Sequence, residues 1–365
     1  MKIRRIDVMY NLWKKLLALC LSVLTVLSLF AACGTEKPET TSEPTQTEAP
    51  TNATDPEPTQ SPEEAKVLKF LTLGHSLAVD SCHMLNLVLA TEGIGDYDEV
   101  IVGTLYYSGC RLSQHVEFML LNSPEYNLYI SSTKTPDAPP TIKKSVTAKD
   151  AIASDNWDII VMQGGAFEIA QEAAFTDNRI PSIQSYVNKY KTNPTAVFAW
   201  HMPWATPTDN DLRDTYPYDP NSYYTSYEQF NHQRSAFYGA IVGNASKYIA
   251  VNDTFKFVIP TGTAIENALS SYLEEKDLHR DYGHATDYGR LIASYVWYCR
   301  LMGIEQLEDI KLDAIPKAFL KSTKDKTQDR PLTDIEKAIA LEAINNALKT
   351  PFAMTQSQYT TAPTE

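Results

Sequence analysis

Val67-Leu-Lys-Phe-Leu-Thr-Leu-Gly-His-Ser76 is the stretch that decides the fold. Seven residues of apolar, strand-like character stop at Gly74, and a helical pattern with Leu77, Leu85 and Leu89 among its apolar positions starts at Ser76. A short apolar run followed by a 3.6-residue period is a strand turning into a helix, with the serine in the helix's first turn. The same grammar recurs along the chain. Strand-like runs at 99–105, 157–162, 195–200 and 255–259 are followed by helical patterns at 111–121, 180–190, 228–249 and 285–302. Gly164-Gly165 and Pro260 stop two of the strands, and the helical pattern after Ser76 runs over 76–90. Residues 122–147 read as irregular, with Tyr126-Asn-Leu-Tyr-Ile130 as one arm of a small excursion. Thr333-Asp-Ile-Glu336 is a capping box opening a last helix, whose stripe is Ile335, Ile339, Ala343 and Ala347. Strands alternating with helices imply a three-layer α/β/α sandwich around a mainly five-stranded parallel sheet. Such sheets bind ligands beyond the carboxyl ends of their strands, where Ser76, Gly109, Gln163 and His201 fall.

A serine in that position is a nucleophile only if a base reaches it and a third group orients the base. Asp281-Tyr-Gly-His284 supplies both from one short segment, with His284 as base and Asp281 as the group that orients it. Without such a partner Ser76 is an ordinary N-cap serine. Asp80-Ser-Cys-His83 has the same spacing. That pair is rejected, because its imidazole sits on the same helix two turns from Ser76, about 10 Å along the axis and out of hydrogen-bond reach. For an oxyanion, the Ser76 N–H, the Gly109 backbone in Tyr107-Ser-Gly-Cys-Arg111 and the Gln163 side-chain amide are the candidate donors. Trp200, His201, Glu168 and Arg111 are candidates for holding substrate polar groups or rings. Tyr216, Tyr218, Tyr223, Tyr224 and Tyr227 crowd the following loop, suited either to stacking on sugars or to packing that loop down.

The 365-residue chain carries a formal net charge of −13, which argues against nucleic acid as a partner. Lys2, Arg4, Arg5, Lys14 and Lys15 precede an apolar run over 16–32 that closes on Phe30-Ala-Ala-Cys33-Gly34. This segment resembles a bacterial lipoprotein signal, with Cys33 lipidated as the mature N-terminus and Phe30 where such signals usually carry Leu. The alternative is an uncleaved single-pass anchor; either leaves the domain facing the extracellular side. Residues 34–65, with six prolines and no aromatic residue, read as a disordered tether. Residues 66–353 read as one domain, and 354–365 as a frayed polar tail. Of the five cysteines only Cys82, Cys110 and Cys299 fall in the domain, without zinc-type spacing. A Cys82–Cys110 disulfide and buried free thiols are both open.

Four blocks in this order resemble the SGNH (GDSL-like) hydrolases, over 67–298. They are Gly74-His-Ser76, Ser108-Gly-Cys110, Gln163-Gly-Gly165 and Asp281-Tyr-Gly-His284. Ile259-Pro-Thr-Gly-Thr-Ala-Ile-Glu-Asn267 and the helix over 338–351 look like a secreted bacterial branch of that superfamily. His75 stands where the family has Asp or Asn, and Gln163 where it has Asn. The resemblance implies a flavodoxin-like sheet and an extracellular serine esterase without metal or cofactor. Its Ser76-His284-Asp281 triad would act on an ester, foremost an O-acetyl group on a carbohydrate. The rival expectation is a glycan-binding surface lipoprotein that keeps the fold without the chemistry. A lipase is the weaker third, since no apolar lid-like segment stands out.

Overall fold

The computed structural model describes residues 65–208, 230, 233–312, 315 and 331–363. The signal segment with Cys33, the tether up to residue 64, the five loop tyrosines and the first residues of the helix expected over 228–249 lie outside them. The described residues form a seven-stranded sheet. Its strands are β1 (Val67–Gly74), β2 (Glu99–Tyr106), β3 (Tyr126–Ser132), β4 (Thr141–Val146), β5 (Ile159–Met162), β6 (Val197–His201) and β7 (Phe255–Ile259). Their order is β4-β3-β2-β1-β5-β6-β7. The five expected strands pair in parallel, in the flavodoxin-like order. β3 and β4 extend the sheet antiparallel beyond β2. The segment read as irregular is therefore a hairpin. β4 is exposed along most of its length and carries Lys143 and Lys144, a pattern suited to a sheet edge.

Helices cover both faces. On one side lie α1 (Ser76–Ser81), α2 (Leu85–Glu92), α9 (Thr261–Leu269), α10 (Glu275–Leu278), α11 (Asp287–Met302) and α12 (Asp334–Lys349). On the other lie α3 (Leu112–Leu121), α4 (Ala148–Ile152), α5 (Ala166–Ile169), α6 (Ala173–Thr176), α7 (Arg179–Tyr190) and α8 (Arg234–Tyr248). The three-layer sandwich thus arises as the apolar periodicity implies, with Phe70, Leu71, Trp157 and Trp297 fully buried in its core. The Thr333 capping box forms, and Ile339, Ala343 and Ala347 bury the stripe of α12.

Two expectations change, and one open alternative is settled. The helix over 76–90 is two helices, because the Ser294 hydroxyl of α11 interrupts its ladder: Ser294 Oγ donates to the Ser81 carbonyl (2.8 Å) and accepts the Met84 N–H (3.3 Å). Residues 355–359 are docked rather than frayed. Thr355 N–H donates to Asn267 Oδ1 (2.7 Å), Ser357 N–H to Ser270 Oγ (2.8 Å), and Tyr272 N–H to the Tyr359 carbonyl (2.9 Å). Short polar residues there satisfy the end of α9, which a composition argument does not foresee. Cys82, Cys110 and Cys299 are all free thiols, so no Cys82–Cys110 disulfide forms.

Candidate active site

The site begins where β1 ends. Gly74 has no side chain because a Cβ there would sit 2.6 Å from Gln163 Oε1. That same oxygen accepts the His75 N–H (3.1 Å), so Gln163, at the end of β5, ties the β1 turn to its neighbouring strand. His75 then caps α1. The Leu77 N–H can only donate, so His75 Nδ1 accepts it (3.3 Å), and the ring proton sits on Nε2 facing the Gly164 carbonyl (3.3 Å). Burial pushes the His75 pKa down to about 4; the Gly164 carbonyl opposes this and His284 adds to it. The His75 imidazole is therefore a neutral cap. Ser76 is the first residue of α1 and half-buried, and its N–H, left over by the helix ladder, has no acceptor among the described residues.

The candidate base, His284, comes from a closed loop. His279 and Ala285 form an antiparallel bridge, and the Arg280 N–H donates to the His284 carbonyl (2.9 Å). Inside the loop Asp281 Oδ1 accepts the N–H groups of Gly283 (2.9 Å) and His284 (2.8 Å). His284 Nδ1 is 3.0 Å from both Asp281 oxygens, which places its proton on Nδ1 and leaves Nε2 as the free lone pair. Burial works to raise the Asp281 pKa. The His284 ring and the two backbone N–H groups outweigh it and hold the carboxyl down to about 2.

Ser76 and His284 line one pocket of about 80 Å³. Gly109, in the left-handed region at φ 59°, and Gly165 contribute backbone to it, while Phe167, Thr206 and Tyr282 contribute side chains. No hydrogen bond joins Ser76 to His284 among the described residues. Such contacts commonly tighten only when substrate is present. An alcohol and an imidazole with a free lone pair share the pocket, and the Asp281 carboxylate stands behind the imidazole; nucleophilic catalysis requires groups of these three kinds.

The other sequence candidates are placed differently. Gln163 does not line the pocket; its Nε2 is buried and unpartnered behind the turn. Trp200 is fully buried against Phe175 and Phe255. His201, also fully buried, is 2.7 Å from Thr261 Oγ1 and 3.3 Å from Ser81 Oγ, and burial lowers its pKa well below the usual range. Glu168 accepts the Leu112 and Ser113 N–H groups and pairs with Arg179 (2.8 Å), so it stabilises the positive end of α3. Arg111 is the exposed N-cap of that helix, bonded to Gln114, and does not line the pocket. A position at a strand end places the backbone at the rim, but burial and nearby donors turn these side chains elsewhere.

Two residues matter that motif reading passed over. Asp80 is 3% exposed; it accepts the Ala285 N–H (2.9 Å), pairs with Arg290 (2.7 Å) and reaches Arg280 (3.4 Å). It thereby binds the helix of Ser76 to the loop of His284. Trp204 Nε1 donates to the Gly283 carbonyl (2.9 Å) and holds the same loop from the other side. Asp80 was visible as half of the second Asp-x-x-His. The helix break invalidates the distance argument against that pair, but the carboxylate is engaged by the two arginines and Ala285.

A search of the curated proteins finds no match. Among solved structures, a DUF4886 family protein from Bacteroides uniformis is similar over 80% of this chain and 98% of that chain, at 23% identity and a TM-score of 0.61. A candidate SGNH hydrolase from Slackia heliotrinireducens is more distant, at 14% identity and a TM-score of 0.37 over 64% of this chain and 97% of that one. So is a catalytic mutant of the acetylxylan esterase Axe2 from Geobacillus stearothermophilus, at 12% identity and a TM-score of 0.37 over 66% of this chain and 95% of that one. The family model "Domain of unknown function (DUF4886)" matches residues 69–317, more than half of the sequence. The chain belongs to the DUF4886 family.

Proposed function

We propose that this protein is a serine esterase of the SGNH type, acting outside the cytoplasmic membrane on an O-acylated, foremost O-acetylated, carbohydrate. The observation that carries the reading is the His284 ring, held through Nδ1 by Asp281 at 3.0 Å in the pocket that Ser76 lines. Ser76 Oγ attacks the ester carbonyl while its proton passes to His284 Nε2, and Asp281 stabilises the imidazolium. The Ser76 N–H receives the oxyanion, with Gly109 as the adjoining wall. Collapse expels the alcohol, which takes the proton from His284. Water then gives a proton to His284 as it attacks the acyl-serine; the acid leaves, and the proton returns to Ser76. Gln163 acts in this scheme by holding the His75 N–H, not as an oxyanion donor. The carbohydrate substrate and the Cys33 lipid anchor belong to the same proposal and are supported by the sequence alone.

A second reading, a glycan-binding protein without the chemistry, is favoured by one observation: Gln163, in place of the expected donor, does not line the pocket. Turnover of p-nitrophenyl acetate by the parent and by Ser76→Ala decides between them. The esterase reading expects loss of turnover in the variant and labelling of the parent by a fluorophosphonate probe at Ser76. Equal turnover by the two proteins, or no labelling, overturns it.

A further inference from the structure

A second cavity, of about 100 Å³, lies beyond the Ser76 pocket. Its floor is the sheet. Val102 and Thr104 of β2 pair with Ser131 and Tyr129 of β3, so all four side chains project from the same face. Here the break between α1 and α2 leaves the sheet only partly covered, by Cys82, His83 and Asn86. The connection between β3 and β4 closes the far side with Pro136, Ala138 and Pro140. Val79 also lines the cavity, one helical turn beyond Ser76 and about 4.5 Å along the axis, so the helix that begins at Ser76 forms part of both walls.

The lining selects a chemistry. It contains no Asp, Glu, Lys or Arg, so neither an anion nor a cation finds a counter-charge there. Desolvation and Arg290 lower the His83 pKa, with Asp287 and Asp80 pulling the other way. The polar residues of the lining are Thr104, Ser131 and Tyr129 with their hydroxyls, Asn86 with its amide, His83 and Cys82. Beside them stand the Tyr129 ring and two prolines. Uncharged hydrogen-bonding groups next to flat apolar surfaces fit a pyranose, which carries hydroxyls at its edge and C–H groups on its face. The volume accepts one edge of such a ring in place of about three waters.

We propose that this cavity is a subsite for a neutral sugar unit, one that binds the glycan on which the Ser76 pocket acts. The role in substrate placement rests on the esterase reading; the binding itself does not. Calorimetric titration of the full chain carrying Ser76→Ala separates the two, using xylotetraose and cellotetraose as neutral probes and tetragalacturonic acid as the charged one. At least one neutral probe binds, and the charged one binds more weakly. Adding Ala138→Trp at the exposed rim weakens the neutral probe by about tenfold or more, whereas Ala138→Ser retains it. Ser131→Ala, which removes one hydroxyl from the floor, weakens it several-fold and covers the case in which the tryptophan variant fails to fold. The proposal is overturned if no neutral probe binds up to about 10 mM, if tetragalacturonic acid binds more tightly, or if Ala138→Trp and Ser131→Ala both bind like the parent. Failure of the esterase reading appears separately, as turnover of p-nitrophenyl acetate that does not depend on Ser76.

Discussion

Asp80-Ser-Cys-His83 and Asp281-Tyr-Gly-His284 share a spacing and almost nothing else. In the second, the carboxylate turns back on its own loop, taking two backbone N–H groups and the imidazole. In the first, the carboxylate turns away and meets groups some two hundred residues distant: Arg290, Arg280 and the Ala285 N–H. His83 is left lining the second cavity. One pair orients a ring, while the other fastens two parts of the chain together. Spacing places the two side chains on one short segment, and the donors that arrive from elsewhere decide what the carboxylate does.

That contrast can be broken most sharply at Asp281. Asp281→Asn keeps the shape but removes the charge that steadies His284, and kcat on p-nitrophenyl acetate is expected to fall by about 10²–10⁴-fold. A kcat equal to the parent's would show that Asp281 does not support the ring. At Asp80 the expected loss is in stability. Asp80→Ala leaves the Ala285 N–H without its acceptor and Arg290 with Asp287 as its remaining carboxylate, and urea unfolding is expected to show a cost of about 2–3 kcal/mol. His83→Ala, at the other end of the same motif, is expected to cost about 1 kcal/mol or less. Similar costs for the two variants would dissolve the distinction drawn between the two motifs.

The smallest effect is a pH dependence. Asp281 has its folded-state pKa lowered to about 2, below its ordinary value of 3.8. On acidification the unfolded chain takes up this proton first. The stabilisation is therefore complete above the ordinary value and is lost as pH falls through that window toward 2. The stability difference between the parent and Asp281→Asn should accordingly shrink between pH 6 and pH 2. A constant difference would mean that the loop's N–H groups and the His284 ring do not hold the carboxylate as described.

The parallel strands were legible because each is a short apolar run ended by a glycine, a proline or a new helical period. Tyr126–Ser132 and Thr141–Val146 were harder to read: one strand of the hairpin lies at the edge and stays exposed, so it lacks the apolar signal. The break at Cys82 was not legible at all, since the hydroxyl that causes it belongs to Ser294, more than two hundred residues later. Nor were the fates of Trp200, His201 and Glu168, whose partners are Phe255, Thr261 and the N-terminus of α3.

By itself, the sequence determined the layered α/β architecture and the short list of groups able to act as nucleophile, base and orienting acid. Periodicity and residue chemistry are local properties, and they survive without knowledge of contacts. Only the tertiary structure decided which Asp-x-x-His shares a pocket with Ser76, which strand-end side chains turn inward, and that Asp80 and Trp204 hold the His284 loop. Those outcomes depend on burial and on hydrogen-bond partners drawn from distant parts of the chain, and no local stretch of residues encodes them.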